Sequence, residues 1–330
     1  MSISHFSLTC ALAFGTVACE SGAPARPVEV TVPRGATLSS VVDTLVQRGV
    51  VESPRGFSFY ARLVGADRRI RAGDYALTSG QRWSDILRVL TEGPVVMVSV
   101  TIPEGFTIAD MADRIAKSIG QPVDTIHNRL VDLDAHVPWS VPGPGLEGYL
   151  FPDTYRFARG VSLDVVVGAM VKKYKSTWTS ERISQRENLG MTENEVVTLA
   201  SIIQAEARRV DEMSTISAVY HNRLRLGYLL QADPTVLYAL GGRRARLLFS
   251  AIDSVADSPY NTYTQGGLPP GPIGAPGEMA LNAALYPSDE PYLYFVARPD
   301  GSHIFTRSLE EHNRARGTVR HEWDQAGIPQ

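Results

Sequence analysis

Two segments seventy positions apart alternate apolar and polar residues with the period of a strand, Val30-Thr31-Val32 and Val100-Thr101-Ile102. Each runs into a Pro-x-Gly turn at residues 33–35 or 103–105, and then into a helical spacing of apolar positions, Val41 and Leu45 in the first and Met111 and Ile115 in the second. Thr37 and Thr107 stand where the N-cap of each helix belongs. The downstream halves echo one another as well. Residues 73–77 (GDYAL) followed by 83–90 match residues 153–157 (DTYRF) followed by 163–170. A repeated strand, turn and helix order predicts two small α+β modules, roughly residues 28–96 and 97–178.

A different pattern starts at Thr192, which forms a capping box with Glu195. Val196, Leu199, Ala200, Ile203 and Ala207 then recur at helical spacing. A second helix is predicted from about Asp211 to Leu226, with Ile216, Val219, Tyr220 and Arg223 on one face and Gly227 as its C-terminal stop. Asp233-Pro234-Thr235 opens a third, short helix, and residues 266–277 (GGLPPGPIGAPG) can only be an irregular loop. Residues 292–297 and 303–305 read as a hairpin across Pro299-Asp300-Gly301, and a closing helix follows Ser308. The expected class is α+β: a leader over 1–27, modules over 28–96 and 97–190 (the latter with a connection), and a mixed helical and β domain over 191–330.

The 330 residues are 44% hydrophobic and 20% charged, the composition of a globular protein large enough for more than one core. A net charge of -3 gives no electrostatic footprint for nucleic acid. Cys10 and Cys19 are the only thiols, so neither a disulfide framework nor a cysteine metal site is available to the rest of the chain. Both lie in the apolar run 6–19, which is shorter than the roughly 20 residues of a spanning helix and fits the apolar region of a signal peptide. Thr16-Val17-Ala18-Cys19 resembles a lipobox with Thr16 in the usual Leu position, so Cys19 is a candidate for lipidation. A signal anchor is the alternative. In both cases the chain is exported and tethered by its N-terminus to the outer face of the cytoplasmic membrane, through the flexible stretch 20–27.

Among the chemically capable residues, Glu206 falls on the apolar stripe of its helix and near the helix end. Burial and the negative end of a helix both disfavour a carboxylate, so its pKa should rise from about 4.3 toward neutrality. A carboxyl protonated near neutral pH is a proton donor for a glycosidic oxygen. The competing possibility is a structural Glu paired with Arg208, Arg209 or Arg223. Gln231, Asp233, Asn261 and Tyr263 carry amide, carboxylate and phenol groups suited to sugar hydroxyls and N-acetyl groups, against turn chemistry for Asp233 and Asn261 and core filling for Tyr263. Glu147 and Asp153 read better as structural. The seven histidines show no metal spacing, and no catalytic triad or phosphate loop is present, so no metal and no organic cofactor is implied.

Residues 198–206 (TLASIIQAE), 222–224 (NRL), 230–236 (LQADPTV), 260–263 (YNTY), 267–273 (GLPPGPI) and 292–296 (YLYFV), with 147–155 (EGYLFPDTY) upstream, resemble in order the blocks of the MltG/YceG-like family of murein transglycosylases. The repeated modules resemble LysM-like modules, which bind N-acetylglucosamine-containing glycans, although a spacer role would serve the repeat equally well. The resemblance places the catalytic acid at the Glu closing S-I-x-x-x-E, here Glu206. Gln204 and Ala207 depart from the family's common Glu and Thr. The implied activity is endolytic cleavage of the β-1,4 bond between N-acetylmuramic acid and N-acetylglucosamine in nascent peptidoglycan, with a 1,6-anhydro product that ends strand elongation. The implied partners are glycan strands and membrane-bound peptidoglycan synthases. Two rivals stand beside it: a lysozyme-like hydrolase using Asp233 as second carboxylate, and a glycan-binding scaffold without catalysis.

Overall fold

The computed structural model of the chain describes residues 27–93, 97–132, 139–242 and 249–326. The apolar run 6–19, Cys19 and the stretch 20–26 lie outside the described residues. Among those described, no helix is long and apolar enough to cross a membrane.

The chain forms two compact units, one ending at Pro94 and one beginning at Val95. In the first, β1 (Pro27–Val32) and β2 (Gly73–Thr78) pair antiparallel with Val30 opposite Tyr75. Between them lie α1 (Leu38–Gln47) and α2 (Pro54–Leu63), and α3 (Trp83–Glu92) follows. Thr37 caps α1 by accepting from the Ser40 amide, as its position predicts. The inward positions of every element, Val30, Val41, Leu45, Phe57, Leu77, Ile86 and Leu90, are buried together.

The second unit opens with the same β-α-α-β-α order. β3 (Met97–Thr101) pairs antiparallel with β4 (Thr154–Ala158), enclosing α4 (Ile108–Ile119) and α5 (Val123–Val131), and α6 (Leu163–Thr177) follows. Thr107 and Asp110 form a capping box on α4. The rest is mostly helical: α7 (Ser180–Asn188), α8 (Glu193–Glu206), a 3-10 turn (Val210–Glu212), α9 (Met213–Leu226), α10 (Asp233–Ala239), α11 (Phe249–Asp253) and α12 (Glu278–Leu285). It ends in the antiparallel pair β5 (Tyr294–Ala297) and β6 (His303–Thr306), then α13 (Leu309–Gln325). The predicted α+β class holds, with helices outweighing three two-stranded sheets.

Two hydrophobic clusters fill this unit. One gathers Val100, Met111, Ile115, Phe157, Val166 and Met170 around the second repeat, the other Tyr149, Leu199, Ile203, Ile216, Tyr220 and Leu281 around α8. They are not separate bodies, because the boundary expected at 190–191 is crossed repeatedly. Gly105 and Phe106 exchange backbone hydrogen bonds with Ala275, the Tyr149 hydroxyl donates to Asn194 at 2.7 Å, and the Tyr174 hydroxyl donates to Glu193. Two further differences from the sequence have physical causes. From Val196 to Ile203 every residue of α8 is buried, so it is a central helix and not a striped one, because α9, α10, α12 and the Gly/Pro loop surround it. α12 has no counterpart in the sequence reading: it is only eight residues long and follows directly on the Gly/Pro loop, and its polar face is just Glu278 and Asn282, too short a stretch to fix a period.

Gly148 fixes how closely the Gly/Pro loop can approach. Its φ is +81°, and a Cβ there would lie 2.4 Å from Pro272 Cβ and 3.3 Å from Val197 Cγ1. Gly148→Ala should therefore destabilise the second unit by roughly 2 kcal/mol or more, through strain and overpacking together, read as a lowered midpoint in urea.

Candidate active site

Glu206 is the last residue of α8, and the Ala207 amide closes the helix on the Ile203 carbonyl at 2.9 Å before the backbone turns extended. Its carboxyl thus stands at the C-terminal end of a buried helix. None of the arginines considered as partners forms an ion pair with it among the described residues. Arg208 is exposed, Arg209 pairs with Asp211 at 2.9 Å, and the Arg223 guanidinium donates to the carbonyls of Leu293 (2.7 Å), Leu230 (2.8 Å) and Leu229 (3.2 Å) while lying over the Tyr294 ring. The direct partner is Tyr220, on α9, whose buried hydroxyl donates to Glu206 Oε1 at 3.0 Å. Sequence periodicity puts Tyr220 on the inner face of its helix, but nothing in it says that the hydroxyl meets a carboxyl.

These surroundings push the Glu206 carboxyl up to about 7. Burial is the largest cause, and the negative charge of Asp233 adds to it. The Tyr220 hydrogen bond and the positive charge of Arg223 act in the opposite direction. Asp233 is exposed at the first turn of α10 and accepts from the Tyr263 hydroxyl at 2.5 Å. Glu206, Tyr220, Asp233, Tyr263 and Arg223 thus form one electrostatic cluster, drawn from three helices and a loop.

Two loops hold Asp233 and Tyr263 together. The Gln231 amide donates to the Thr262 carbonyl at 3.0 Å, the Ala232 amide donates to Thr262 Oγ1 at 2.9 Å, and the Thr235 and Thr262 hydroxyls meet at 2.9 Å. Gln231 has a φ of +49°, a strained value for a residue with a Cβ, and it leaves its side chain exposed. Asn261 departs from its expected role. It is fully buried, its amide donates to the carbonyls of Ile252 (3.0 Å) and Val255 (3.1 Å), and its Oδ1 accepts from the Tyr263 amide at 3.0 Å. The side chain is consumed in building the loop that presents Tyr263, so it has nothing to offer a sugar.

On the other side of α8, Gln204 and Ser201 pin the Gly/Pro loop. Gln204 Oε1 accepts from the Gly277 amide at 2.9 Å, and Ser201 Oγ accepts from the Ile273 amide at 3.0 Å. Glu147 accepts from the Ile108 amide at 3.1 Å, where α4 begins, and from the Tyr238 hydroxyl at 3.4 Å. Burial pushes this carboxyl, too, up to about 7. Asp153 pairs with Lys173 at 3.0 Å, and hydrogen bonds from Lys173 and the Thr154 amide hold its pKa below the usual value. These contacts tie elements together.

The YceG-like family matches residues 30–318 of this sequence. The chain belongs to the YceG-like family. A relative named endolytic murein transglycosylase in Bacillus subtilis (strain 168) is 34% identical, over 88% of this chain and 84% of its own length. A protein of the same name in Streptococcus pneumoniae (strain D39) is 29% identical over 87% of this chain, which spans 57% of that longer relative. The crystal structure of a YceG-like protein from Listeria monocytogenes superposes with a TM-score of 0.61 at 32% identity, covering 88% of this chain and 99% of that one. The cluster around Glu206 therefore lies within the region this chain shares with the family.

A carboxyl whose pKa is raised on folding binds a proton more tightly in the native state, so stability falls as pH rises from the unfolded value near 4.5 through the folded value near 7. Glu206→Gln keeps the shape without the ionisation. Its unfolding free energy should match wild type near pH 4.5 and exceed it above pH 7 by at most about 3 kcal/mol, the equivalent of the shift. Melting temperatures of both proteins at pH 5 and pH 8 measure this. An equal difference at the two pH values would contradict the burial of an ionisable Glu206.

Proposed function

We propose that this chain is an endolytic lytic transglycosylase that cuts the β-1,4 bond between N-acetylmuramic acid and N-acetylglucosamine, with Glu206 performing both proton transfers. The observation that carries the proposal is the Glu206 carboxyl at the end of α8, held by the Tyr220 hydroxyl at 3.0 Å, where burial and the charge of Asp233 favour its protonated form. In that state Glu206 donates its proton to the oxygen of the leaving sugar as the glycosidic bond breaks. The muramoyl C1 becomes oxocarbenium-like. Glu206, now a carboxylate and steadied by the Tyr220 hydroxyl, removes the proton from the C6 hydroxyl, whose oxygen closes on C1. The product is a 1,6-anhydro sugar, the acid is regenerated, and no water is consumed. A second carboxylate activating water, as an inverting glycosidase requires, has no task in this sequence.

Asp233 has two parts in this scheme. Its charge holds the Glu206 proton in place before reaction and stabilises positive charge at C1 during it. Tyr263, bonded to Asp233, and the exposed amide of Gln231 line the path of the glycan. Asn261 acts only through the loop it supports. The β-α-α-β order of both repeats supports LysM-like modules that engage or place the strand. The chain works in the cell envelope, tethered through its N-terminal segment by a lipidated Cys19 or a signal anchor, on strands emerging from membrane-bound synthases.

Three measurements test the mechanism. On purified glycan strands, Glu206→Gln should lower turnover by about 10² to 10⁴-fold, and wild type should release anhydro ends by mass spectrometry. Reducing ends, with comparable losses in Glu206→Gln and Asp233→Asn, would assign the two-carboxylate hydrolase instead; undiminished function in Glu206→Gln would leave only the scaffold.

The pH dependence of kcat/KM should show an alkaline limb near the folded Glu206 value, about 7. Tyr220→Phe removes a bond that favours the carboxylate, so the limb should move to higher pH while the rate falls. Asp233→Asn removes a charge that disfavours it, so the limb should move to lower pH. Shifts in one common direction would contradict these assignments.

A further inference from the structure

The first unit carries a surface that catalysis does not use. On α2, Arg55, Phe59 and Leu63 are spaced four residues apart and so fall along one stripe, with Arg62 beside them. The stripe is exposed: Phe59 and Leu63 keep 69% and 70% of their surface accessible, and Val64, which ends the helix, keeps 42%. Large apolar side chains this open, three within six residues, call for a partner. Arg68, Arg69 and Arg71 follow in the loop after α2, all exposed, and Arg69 folds back to donate to the Gly65 carbonyl at 3.3 Å. From residue 54 to 71 the chain thus presents five arginines against a single acid, Asp67, in a protein whose net charge is -3. None of the five forms an ion pair among the described residues.

We infer that this stripe docks the first unit onto an anionic lipid surface, Phe59, Leu63 and Val64 entering the headgroup and acyl boundary while the arginines meet the headgroups. Exposed aromatic and aliphatic side chains ringed by basic residues are the composition of an interfacial helix. Charge complementarity gives the sign of the lipid, and the apolar side chains exclude a purely ionic partner, which would have no use for them. Chain length gives the opportunity. The inference rests on the reading that the N-terminal segment tethers the protein, since residues 20–26 then span at most about 25 Å between membrane and first strand. At that distance the unit cannot leave the membrane surface. Docking would fix the orientation of the first unit at that surface.

The test uses the full chain in lipid nanodiscs, with a photoreactive benzophenone amino acid replacing Phe59. Each arginine near an anionic surface is worth about fivefold in partitioning. Lipid adducts should therefore form in anionic discs and fall at least tenfold in zwitterionic discs, in the triple variant Arg62→Gln/Arg68→Gln/Arg69→Gln, or in 1 M salt. These arginines are exposed, so circular dichroism should stay unchanged in the variant. Equal adducts in both disc types, or adducts indifferent to the triple substitution, would overturn the inference. So would full competition by a soluble polyanion such as inositol hexakisphosphate with no lipid adduct, which would mark a simple anion site. Failure of the chain to enter discs would instead refute the tether. The same protein mixed with anionic vesicles then decides the docking surface: adducts at position 59 uphold it, and their absence overturns it.

Discussion

Everything about the site follows from holding one carboxyl at the end of a helix that is buried on all sides. Eight consecutive residues of α8, from Val196 to Ile203, have no solvent-facing side, so the helix meets water only in its first and last turns. Glu206 sits in the last. Core packing supplies the desolvation that favours the neutral acid, and the Tyr220 hydroxyl and the Arg223 charge limit how far it goes. A fully uncompensated carboxyl would be too weak an acid to give up its proton, and a solvated one would have lost it already. The balance lies near neutrality.

Holding that balance requires rigid neighbours, and much of the second unit has that role. Arg223 is fixed by three backbone carbonyls, so its positive charge is felt without a salt bridge that would keep Glu206 ionised. Asp233 is fixed by the first turn of α10 and by Tyr263, whose loop is in turn built on the buried Asn261. The Gly/Pro loop lies against α8 through Ser201 and Gln204, and Gly148 lets it come close. Backbone bonds between Ala275 and residues 105–106 extend the same framework into the second repeat.

Much of this was legible in the sequence because it depends on local rules. The caps at Thr37, Thr107 and Thr192, the stop at Gly227, the hairpin and the repeat all follow from short-range patterns, and the structure has each of them. Glu206 was legible as an acid among apolar neighbours. What was not legible arises from contacts distant in sequence. Tyr220 looks like an ordinary core tyrosine until α9 packs beside α8. Asn261 looks like a sugar ligand until the loop closes around its side chain. Gln204 shows nothing in the sequence of the Gly277 amide that donates to its Oε1. α12 escapes notice because two turns with only Glu278 and Asn282 as polar positions give too short a period to read.

The titration of the Glu206 carboxyl itself tests the central claim most directly. Carbon-13 chemical shifts of the Glu206 side chain, assigned by comparison with Glu206→Gln and followed from pH 3 to pH 10, should give a midpoint of about 7. A midpoint near the ordinary glutamate value of about 4.3 would mean that the carboxyl is ionised at neutral pH, and the single-residue proton-transfer mechanism would fail.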